Sequence, residues 1–229
     1  MHIVVLDAVP LNPGDIDWSP VAALGRITLF DASTRDQIAE RISDADVVLT
    51  NKCRLTADNV NGAARLKLIC ELATGYDNID VAAAQSRGIP VCNGPAYSTP
   101  STAQTAIALL LELTQRCGDH SISVHNGDWS RSETFCYWRS PLVELAGKTF
   151  VVVGTGSIGT RTGRIAESFG MRVVSAVIPG RPPEAKGDWE RIPLDDAVPV
   201  ADVLSLHCPL TDLTDRKSTR LNSSHGKLS

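Results

Sequence analysis

The 229-residue sequence has no apolar run that approaches the roughly 18 residues of a membrane-spanning helix. Its start, MHIVVLDAV, has neither a basic segment nor a long apolar one, so no secretory signal peptide is predicted. The six cysteines are scattered and form no C-x-x-C pair, which favours a set of reduced single thiols and no metal site. By elimination, these absences predict a cytoplasmic protein.

A basic patch is also missing, and the formal net charge is −4. This balance argues against nucleic acid or an anionic membrane as the main partner. The hydrophobic content of 43% is enough to bury a core in one or two domains.

Strand-length apolar runs alternate with amphipathic stretches along the first half of the sequence. TRDQIAERIS begins at Thr34 with Gln37 three residues later, a capping-box pattern, and Gly88 is placed to end a later helix. The alternation predicts an α/β fold with a parallel sheet and helices on its faces. The predicted strands are 2–7, 27–31, 46–51, 66–73 and 89–93.

Residues 99–117 predict a long helix that is apolar over most of its circumference. Such a helix is buried, either between two domains, in a subunit interface or in an ordinary core. The aromatic-rich stretch 118–148 has no clear periodicity, and it either wraps a partner subunit or packs on its own domain.

The motif GTGSIG at 154–159 follows the strand TFVVVG and begins a helix, which is the context of a dinucleotide-binding turn. Gly154 permits the tight turn, Gly156 lets backbone amides approach a diphosphate, and Gly159 lets the helix lie close to the strand. A further strand is predicted at 201–209. The alternative is a glycine-rich turn without a ligand.

The last fifteen residues, 215–229, have four Lys or Arg against one acid, four serines and two isolated leucines. This composition predicts a disordered tail. Its abrupt onset after a predicted strand suggests foreign or frameshifted sequence.

Several stretches in order and spacing resemble the D-isomer-specific 2-hydroxyacid dehydrogenase family, in its glycerate dehydrogenase or hydroxypyruvate reductase branch. The resemblance extends almost continuously from residue 1 to about 214. Its main stretches are LTNK (49–52), LKLICELATGYDNID (66–80), AQTAIALLLELTQR (103–116), FCYW (135–138), VGTGSIG (153–159) and ADVLSLHCPLT (201–211).

The resemblance implies a flavodoxin-like substrate domain at 1–97 and an incomplete Rossmann coenzyme domain at 98–214. The second domain would include a linker helix and an arm that dimers exchange, so a homodimer is expected. It also implies reversible hydride transfer between a nicotinamide and a small 2-keto acid, with hydroxypyruvate or glyoxylate the leading substrates.

The resemblance further implies two groups of binding residues. Thr74 and Gly75 would hold the substrate carboxylate with Lys52 nearby, although Lys52 taken alone would be a solvated surface lysine. Gly154, Gly156, Ser157, Ile158 and Gly159 would lie along the diphosphate. Cys208, Pro209 and Thr214 would face the adenosine, unless they form only an ordinary turn after a strand.

The sequence departs from the family pattern at Val177, where members that prefer NAD carry an acid for the ribose hydroxyls. Valine offers no acceptor and no repulsion to a 2′-phosphate, which Arg181 could meet. NAD or NADP is therefore expected as cofactor, with weak discrimination or a preference for NADP.

The sequence also departs from the pattern in its catalytic residues. The family's Arg, Glu and His lie beyond residue 214 of the pattern, so the sequence assigns no catalytic residue and predicts an inactive fragment. A general acid or base must reach the reacting oxygen, and no histidine of the chain is placed to do so. The alternative function is a non-catalytic NAD(P)-binding sensor or a corepressor-like protein.

Overall fold

Strands and helices alternate in the first of two units, Met1–Tyr97, of the computed structural model. The structure describes residues 1–12, 14–177, 189–209 and 214. The strands are β1 (His2–Val5), β2 (Arg26–Leu29), β3 (Val47–Thr50), β4 (Leu68–Glu71) and β5 (Val91–Cys92). The helices are α1 (Ser19–Ala22), α2 (Arg35–Arg41), α3 (Ala57–Gly62) and α4 (Val81–Ser86).

The five strands are parallel and lie in the order β2-β1-β3-β4-β5. This is the strand order of a flavodoxin-like sheet. Strands β1 and β3 are buried throughout. Helices α2, α3 and α4 pack on one face of the sheet, and Trp18 and Val21 pack on the other. The predicted capping box of α2 is present, with the Thr34 amide donating to Gln37 Oε1 at 3.0 Å, and Gly88 follows α4 with φ +65°.

The second unit is Ser98–Ser229. Its described elements are α5 (Thr99–Gln115), α6 (Cys117–His125), β6 (Thr149–Val153), α7 (Ser157–Ser168), β7 (Arg172–Val177), β8 (Glu190–Pro193), α8 (Leu194–Val200) and β9 (Val203–Leu206). The strands are parallel in the order β8-β7-β6-β9, the first four strands of a Rossmann sheet. The α/β class and the two kinds of sheet predicted from the sequence are therefore confirmed.

Within the single chain, one side of helix α5 is buried, and burial of its other side in a subunit interface stays a prediction. Ile107 and Leu110 pack into a core cluster with α7, but Leu109 and Leu113 on another side are 63% and 79% exposed. The helix is therefore buried along one face of its own unit rather than around its circumference.

Four of the described elements have no counterpart in the sequence prediction: α1, α6, β8 and α8. Helix α6 begins directly after Arg116, whose left-handed φ of 51° separates it from α5. Helix α8 contains Pro199, which normally indicates the end of a helix. Among the described residues, no helix combines the length and the apolar character required to cross a bilayer. The predicted tail, 215–229, lies outside the described residues.

Asp46 gives the first unit an acid-sensitive contact. Its carboxylate accepts the His2 amide at 2.8 Å and lies 3.1 Å from Lys67 Nζ and 3.2 Å from an Arg65 nitrogen. The His2 bond first, and then the two cations, lower the pKa of Asp46 to about 2. Because the folded pKa is depressed below the ordinary value, the contact stabilises at neutral pH and is lost as pH falls toward the folded pKa.

We therefore expect Asp46→Asn to lower the thermal midpoint at pH 7. The difference from the wild type should shrink between about pH 4 and pH 2, where the wild-type carboxylate becomes protonated. Thermal unfolding of both proteins, followed by circular dichroism from pH 7 to pH 2, measures the difference in midpoint and its change with pH. A difference that stays constant with pH would contradict the role given to the Asp46 charge.

Candidate functional site

The first glycine of the turn, Gly154, follows β6 and has φ +101°. A Cβ atom there would lie 2.8 Å from backbone atoms of both His207 and Cys208. Glycine is therefore required for its conformation and for the close approach of the segment that follows β9.

The third glycine, Gly159, lies in the first turn of α7. A Cβ atom there would overlap the carbonyl oxygen of Gly154 and lie 3.1 Å from the Cβ of His207. Glycine at this position lets α7 lie directly against the turn, as the sequence predicts.

The second glycine, Gly156, differs from its neighbours. It is the N-cap of α7, it is exposed, and no protein atom lies within 4 Å of the place where its Cβ would be. Its extended backbone, φ −69° and ψ −173°, is open to any residue. None of the described residues therefore requires glycine here, and the space beside it is open.

The open space at Gly156 lies at the positive end of a helix of twelve residues. Ser157, Ile158 and Gly159 contribute the first amides of this helix, which have no acceptor within it. Such amides and the helix dipole together favour an anion, and a diphosphate fits both the charge and the space.

The residues predicted for the adenosine side follow β9, the neighbour of β6. Cys208 is half-buried beside the sheet, and Pro209 is exposed. The Thr214 hydroxyl donates to the Pro209 carbonyl at 2.7 Å. The structure thus places Cys208 beside the glycine turn and ties Thr214 to Pro209, while their contact with an adenosine stays a prediction.

His207 joins the glycine turn to β9. Its amide donates to the Val153 carbonyl at 2.8 Å, and its Nε2 lies 2.8 Å from Ser205 Oγ. Burial lowers the pKa of His207 below its ordinary value, which favours the neutral imidazole. These contacts give His207 a structural role beside the glycine turn.

Val177 is the last residue of β7, is half-buried and pairs in register with Pro193. It therefore occupies the strand end at which the sequence predicts the missing acid. Arg181, suggested as a partner for a 2′-phosphate, lies outside the described residues.

In the first unit, Asp7 organises the loop that follows β3. Its buried carboxylate accepts the amides of Asn51 at 3.0 Å, Lys52 at 2.5 Å and Cys53 at 3.2 Å. The Thr50 hydroxyl adds a fourth bond at 3.2 Å. The backbone at Lys52 is thus fixed by a charge, while the Lys52 side chain is exposed.

A second buried acid, Glu71, ends β4 next to Thr50 in the sheet register. Burial raises the pKa of Glu71, and the bond from Asn78 and the nearby positive charge of Lys52 oppose this rise. Asn78 Nδ2 donates to Glu71 Oε2 at 2.9 Å and also lies 3.1 Å from the Cys53 carbonyl. Asn78 therefore joins the loop after β3 to the loop after β4.

Thr74 and Gly75 lie exposed on that second loop. The Thr74 hydroxyl donates to the Gly94 carbonyl at 2.9 Å, and Asn93 Nδ2 donates to the Thr74 carbonyl at 2.8 Å. The loop is thereby fixed to the segment after β5. Lys52 and Thr74 follow neighbouring parallel strands, so both emerge at the carboxyl edge of the same sheet.

Sequence reasoning did not identify Asp7, Glu71 or Asn78. The available signal was an acid directly after, or at the end of, an apolar strand, since the carboxyl ends of parallel strands form one edge. Among the described residues, no three His, Cys, Asp or Glu side chains form a group that could hold a metal ion.

The chain was compared with known proteins. The model of the D-isomer specific 2-hydroxyacid dehydrogenase family, catalytic domain, matches residues 3–219. A hydroxypyruvate reductase of Blautia hydrogenotrophica is 40% identical over 218 residues, which cover 94% of this chain and 68% of that protein. A glycerate dehydrogenase of Methylorubrum extorquens is 34% identical, over 78% of this chain and 54% of that protein.

A solved structure adds a likeness of fold. D-Lactate dehydrogenase from Aquifex aeolicus, complexed with NAD and lactic acid, has a TM-score of 0.74 at 24% identity. The match covers 96% of this chain and 66% of that one. The chain thus spans between about half and two thirds of these three proteins.

Proposed function

Because the chain belongs to the D-isomer-specific 2-hydroxyacid dehydrogenase family, we propose that it binds a nicotinamide dinucleotide at the turn Gly154–Gly159. The family consists of oxidoreductases that act on the CH–OH group of 2-hydroxyacids, and its members bind NAD(H). When bound, the nicotinamide supplies or accepts a hydride at its C4, in exchange with C2 of the substrate.

The observation that carries the proposal is the contrast among the three glycines of the turn. Contacts inside the protein explain Gly154 and Gly159, whereas Gly156 borders open space at the amino end of α7. A diphosphate at this place supplies the missing reason for glycine, because a side chain would keep the phosphate oxygens away from the amides.

For the substrate, we propose that the exposed loop of Thr74 and Gly75 receives the carboxylate of a small 2-keto acid, with Lys52 as its counter-ion. Two hydrogen bonds to the Gly94–Asn93 segment fix this loop, and Asp7 fixes the backbone of Lys52. The names of the two enzyme relatives favour hydroxypyruvate as substrate, and a similar glyoxylate reductase of Thermococcus litoralis makes glyoxylate the second candidate.

The proposal assigns proton transfer to none of the described histidines. His2 is bonded to Thr28 and lies beside Asp44, and His207 is bonded to Ser205. His120 and His125 each contact a backbone carbonyl one helical turn earlier. The proposed role of the described chain is therefore to hold both reactants.

We also propose that the chain acts as a homodimer in the cytoplasm. The exposed leucines of α5, Leu109 and Leu113, and the exposed rings of Phe135 and Trp138 support a partner surface, since such residues are normally covered. Sedimentation of the purified chain measures its oligomeric state directly.

The experiment that tests the proposed function separates binding from turnover. NADH and NADPH are titrated into the chain, with tryptophan fluorescence as the signal. Oxidation of each is then followed with hydroxypyruvate, glyoxylate and pyruvate. Binding with turnover supports a dehydrogenase, and binding without turnover favours a non-catalytic nucleotide-binding protein. Failure to bind either nucleotide overturns the proposal.

We expect Val177→Asp to convert weak cofactor discrimination into a preference for NADH. The new carboxylate would accept bonds from the ribose hydroxyls and repel a 2′-phosphate. A charge-assisted bond contributes about 1.5–3 kcal/mol, so the ratio of the two dissociation constants should move by about tenfold or more.

The matched control is Val177→Asn, which adds an acceptor without a charge. It should strengthen NADH binding without weakening NADPH binding. If Val177→Asp leaves the NADPH dissociation constant unchanged, Val177 does not lie beside the ribose.

A further inference from the structure

Two cysteines of the first unit lie side by side on neighbouring strands. Cys70 of β4 and Cys92 of β5 are direct partners in the parallel register. Parallel strands lie about 4.8 Å apart, and side chains of directly paired residues project to the same side of the sheet. A disulfide joins Cα atoms that are about 4.4–6.8 Å apart, so the backbone already lies within the required range.

The surroundings of the two thiols differ. Cys92 lies on the edge strand β5 and is exposed, while Cys70 is half-buried beside Leu68 and Leu72. Burial, and then the nearness of Cys92, raise the pKa of Cys70 above its ordinary value. The Cys92 thiol is thus accessible to a soluble oxidant, whereas the neighbouring Cys70 thiol is partly shielded from it.

The backbone on the carboxyl side of the pair is held in place. Gly94 donates its amide to the Ala73 carbonyl at 2.9 Å, and the Thr74 hydroxyl donates to the Gly94 carbonyl at 2.9 Å. On the amino side, the Ile69 amide donates to the Pro90 carbonyl at 3.1 Å. These bonds hold β4 and β5 in register, so Cys70 and Cys92 stay directly paired.

We propose that Cys70 and Cys92 form a dithiol site that hydroperoxides oxidise to an intramolecular disulfide. The Cys92 thiolate attacks one oxygen of the peroxide, the O–O bond breaks, and the leaving oxygen takes a proton. Cys92 becomes a sulfenic acid. The Cys70 sulfur then attacks the Cys92 sulfur, the S–S bond forms, and water leaves.

The reaction is balanced: two thiols and one hydrogen peroxide give one disulfide and two molecules of water. The two thiols lose two electrons, and the peroxide gains them. A soluble dithiol reverses the reaction by exchange. The proposal does not depend on the proposed dehydrogenase function, because it uses only residues and contacts of the sheet.

The test treats the purified reduced chain with hydrogen peroxide, blocks the remaining thiols and digests it with trypsin. Cleavage after Lys67, Arg87 and Arg116 separates peptide 68–87, which carries Cys70, from peptide 88–116, which carries Cys92. We expect mass spectrometry to find these two peptides linked after oxidation and separate after dithiothreitol. In Cys70→Ala, Cys92 should instead be captured as a sulfenic acid by dimedone.

Cys117→Ser is the matched control, because Cys117 is exposed but outside the β4–β5 register, and it should not change the yield of the linked pair. Cys92→Ser should leave Cys70 as a free thiol. If the linked pair is absent while the wild-type chain keeps its circular dichroism spectrum, the proposal is wrong. Linkage of Cys92 mainly to another cysteine or to a second chain would also overturn it.

Discussion

Gly156→Ala is expected to keep the fold and lose tight binding of NADH, whereas Gly159→Ala is expected to destabilise the second unit itself. At position 156 the backbone suits alanine, and no protein atom lies within 4 Å of the new methyl group. At position 159 the methyl group would overlap the backbone oxygen of Gly154, which cannot rotate away as a side chain would.

The two effects concern different free energies, one of ligand binding and one of unfolding, and are measured separately. Loss of two charge-assisted bonds to a phosphate would cost about 3 kcal/mol, or about a hundredfold in the dissociation constant of NADH. Overpacking at Gly159 should cost about 1–3 kcal/mol of unfolding free energy or more. Fluorescence titration with NADH reports the first effect, and urea unfolding followed by circular dichroism reports the second.

Gly62→Ala provides the matched control. Gly62 is in helix α3 of the first unit, a Cβ there would meet no atom within 4 Å, and alanine favours helix, so neither NADH binding nor stability should fall. Unchanged NADH affinity in Gly156→Ala would remove the diphosphate from this turn. Unfolding of Gly156→Ala would show that its glycine is required by the protein rather than by a ligand.

The three glycines of the turn also show how much of the site the sequence predicts. The motif alone predicts the turn, the helix and the functions of the three glycines, because each follows from backbone geometry near the motif. It does not predict that Gly154 and Gly159 pack against His207, which lies about fifty residues later in the chain. Only the pairing of β6 with β9 brings that segment to the turn.

The same limit explains the missed elements and acids. The strands β1 and β3 are continuous apolar runs, so their burial is readable from the sequence. Because α8 contains Pro199, which normally indicates the end of a helix, the local sequence pattern does not predict this helix. Asp7 accepts hydrogen bonds from amides more than forty residues later in the chain, so no local spacing indicates them.

Asp7→Ala is expected to be among the most destabilising single substitutions in the first unit. It would remove the acceptor that the amides of Asn51, Lys52 and Cys53 share, at a residue that is only 3% exposed. The Cys53 amide would keep its second contact, with Thr50 Oγ1 at 3.2 Å. An unsatisfied buried donor costs about 1–3 kcal/mol. The three amides lie on one loop, whose relaxation would reduce all three costs together, so a total of about 3–5 kcal/mol is expected. Hydrogen exchange on peptides from the first unit measures this free energy.

Asp7→Asn separates the charge from the shape. The amide keeps one acceptor oxygen but turns an NH₂ group toward backbone donors, so most of the loss should remain and exchange at the amides of 51–53 should accelerate. Asp17→Asn is the surface control: Asp17 is exposed and, among the described residues, accepts hydrogen bonds from Ser19 alone, so its effect on stability should be much smaller. If Asp7→Asn leaves exchange at 51–53 unchanged, the carboxylate does not hold the loop. Some other contact would then have to hold the backbone of Lys52 in place. A lysine on a mobile loop loses more conformational entropy when it binds a carboxylate, so its affinity for the substrate would be weaker.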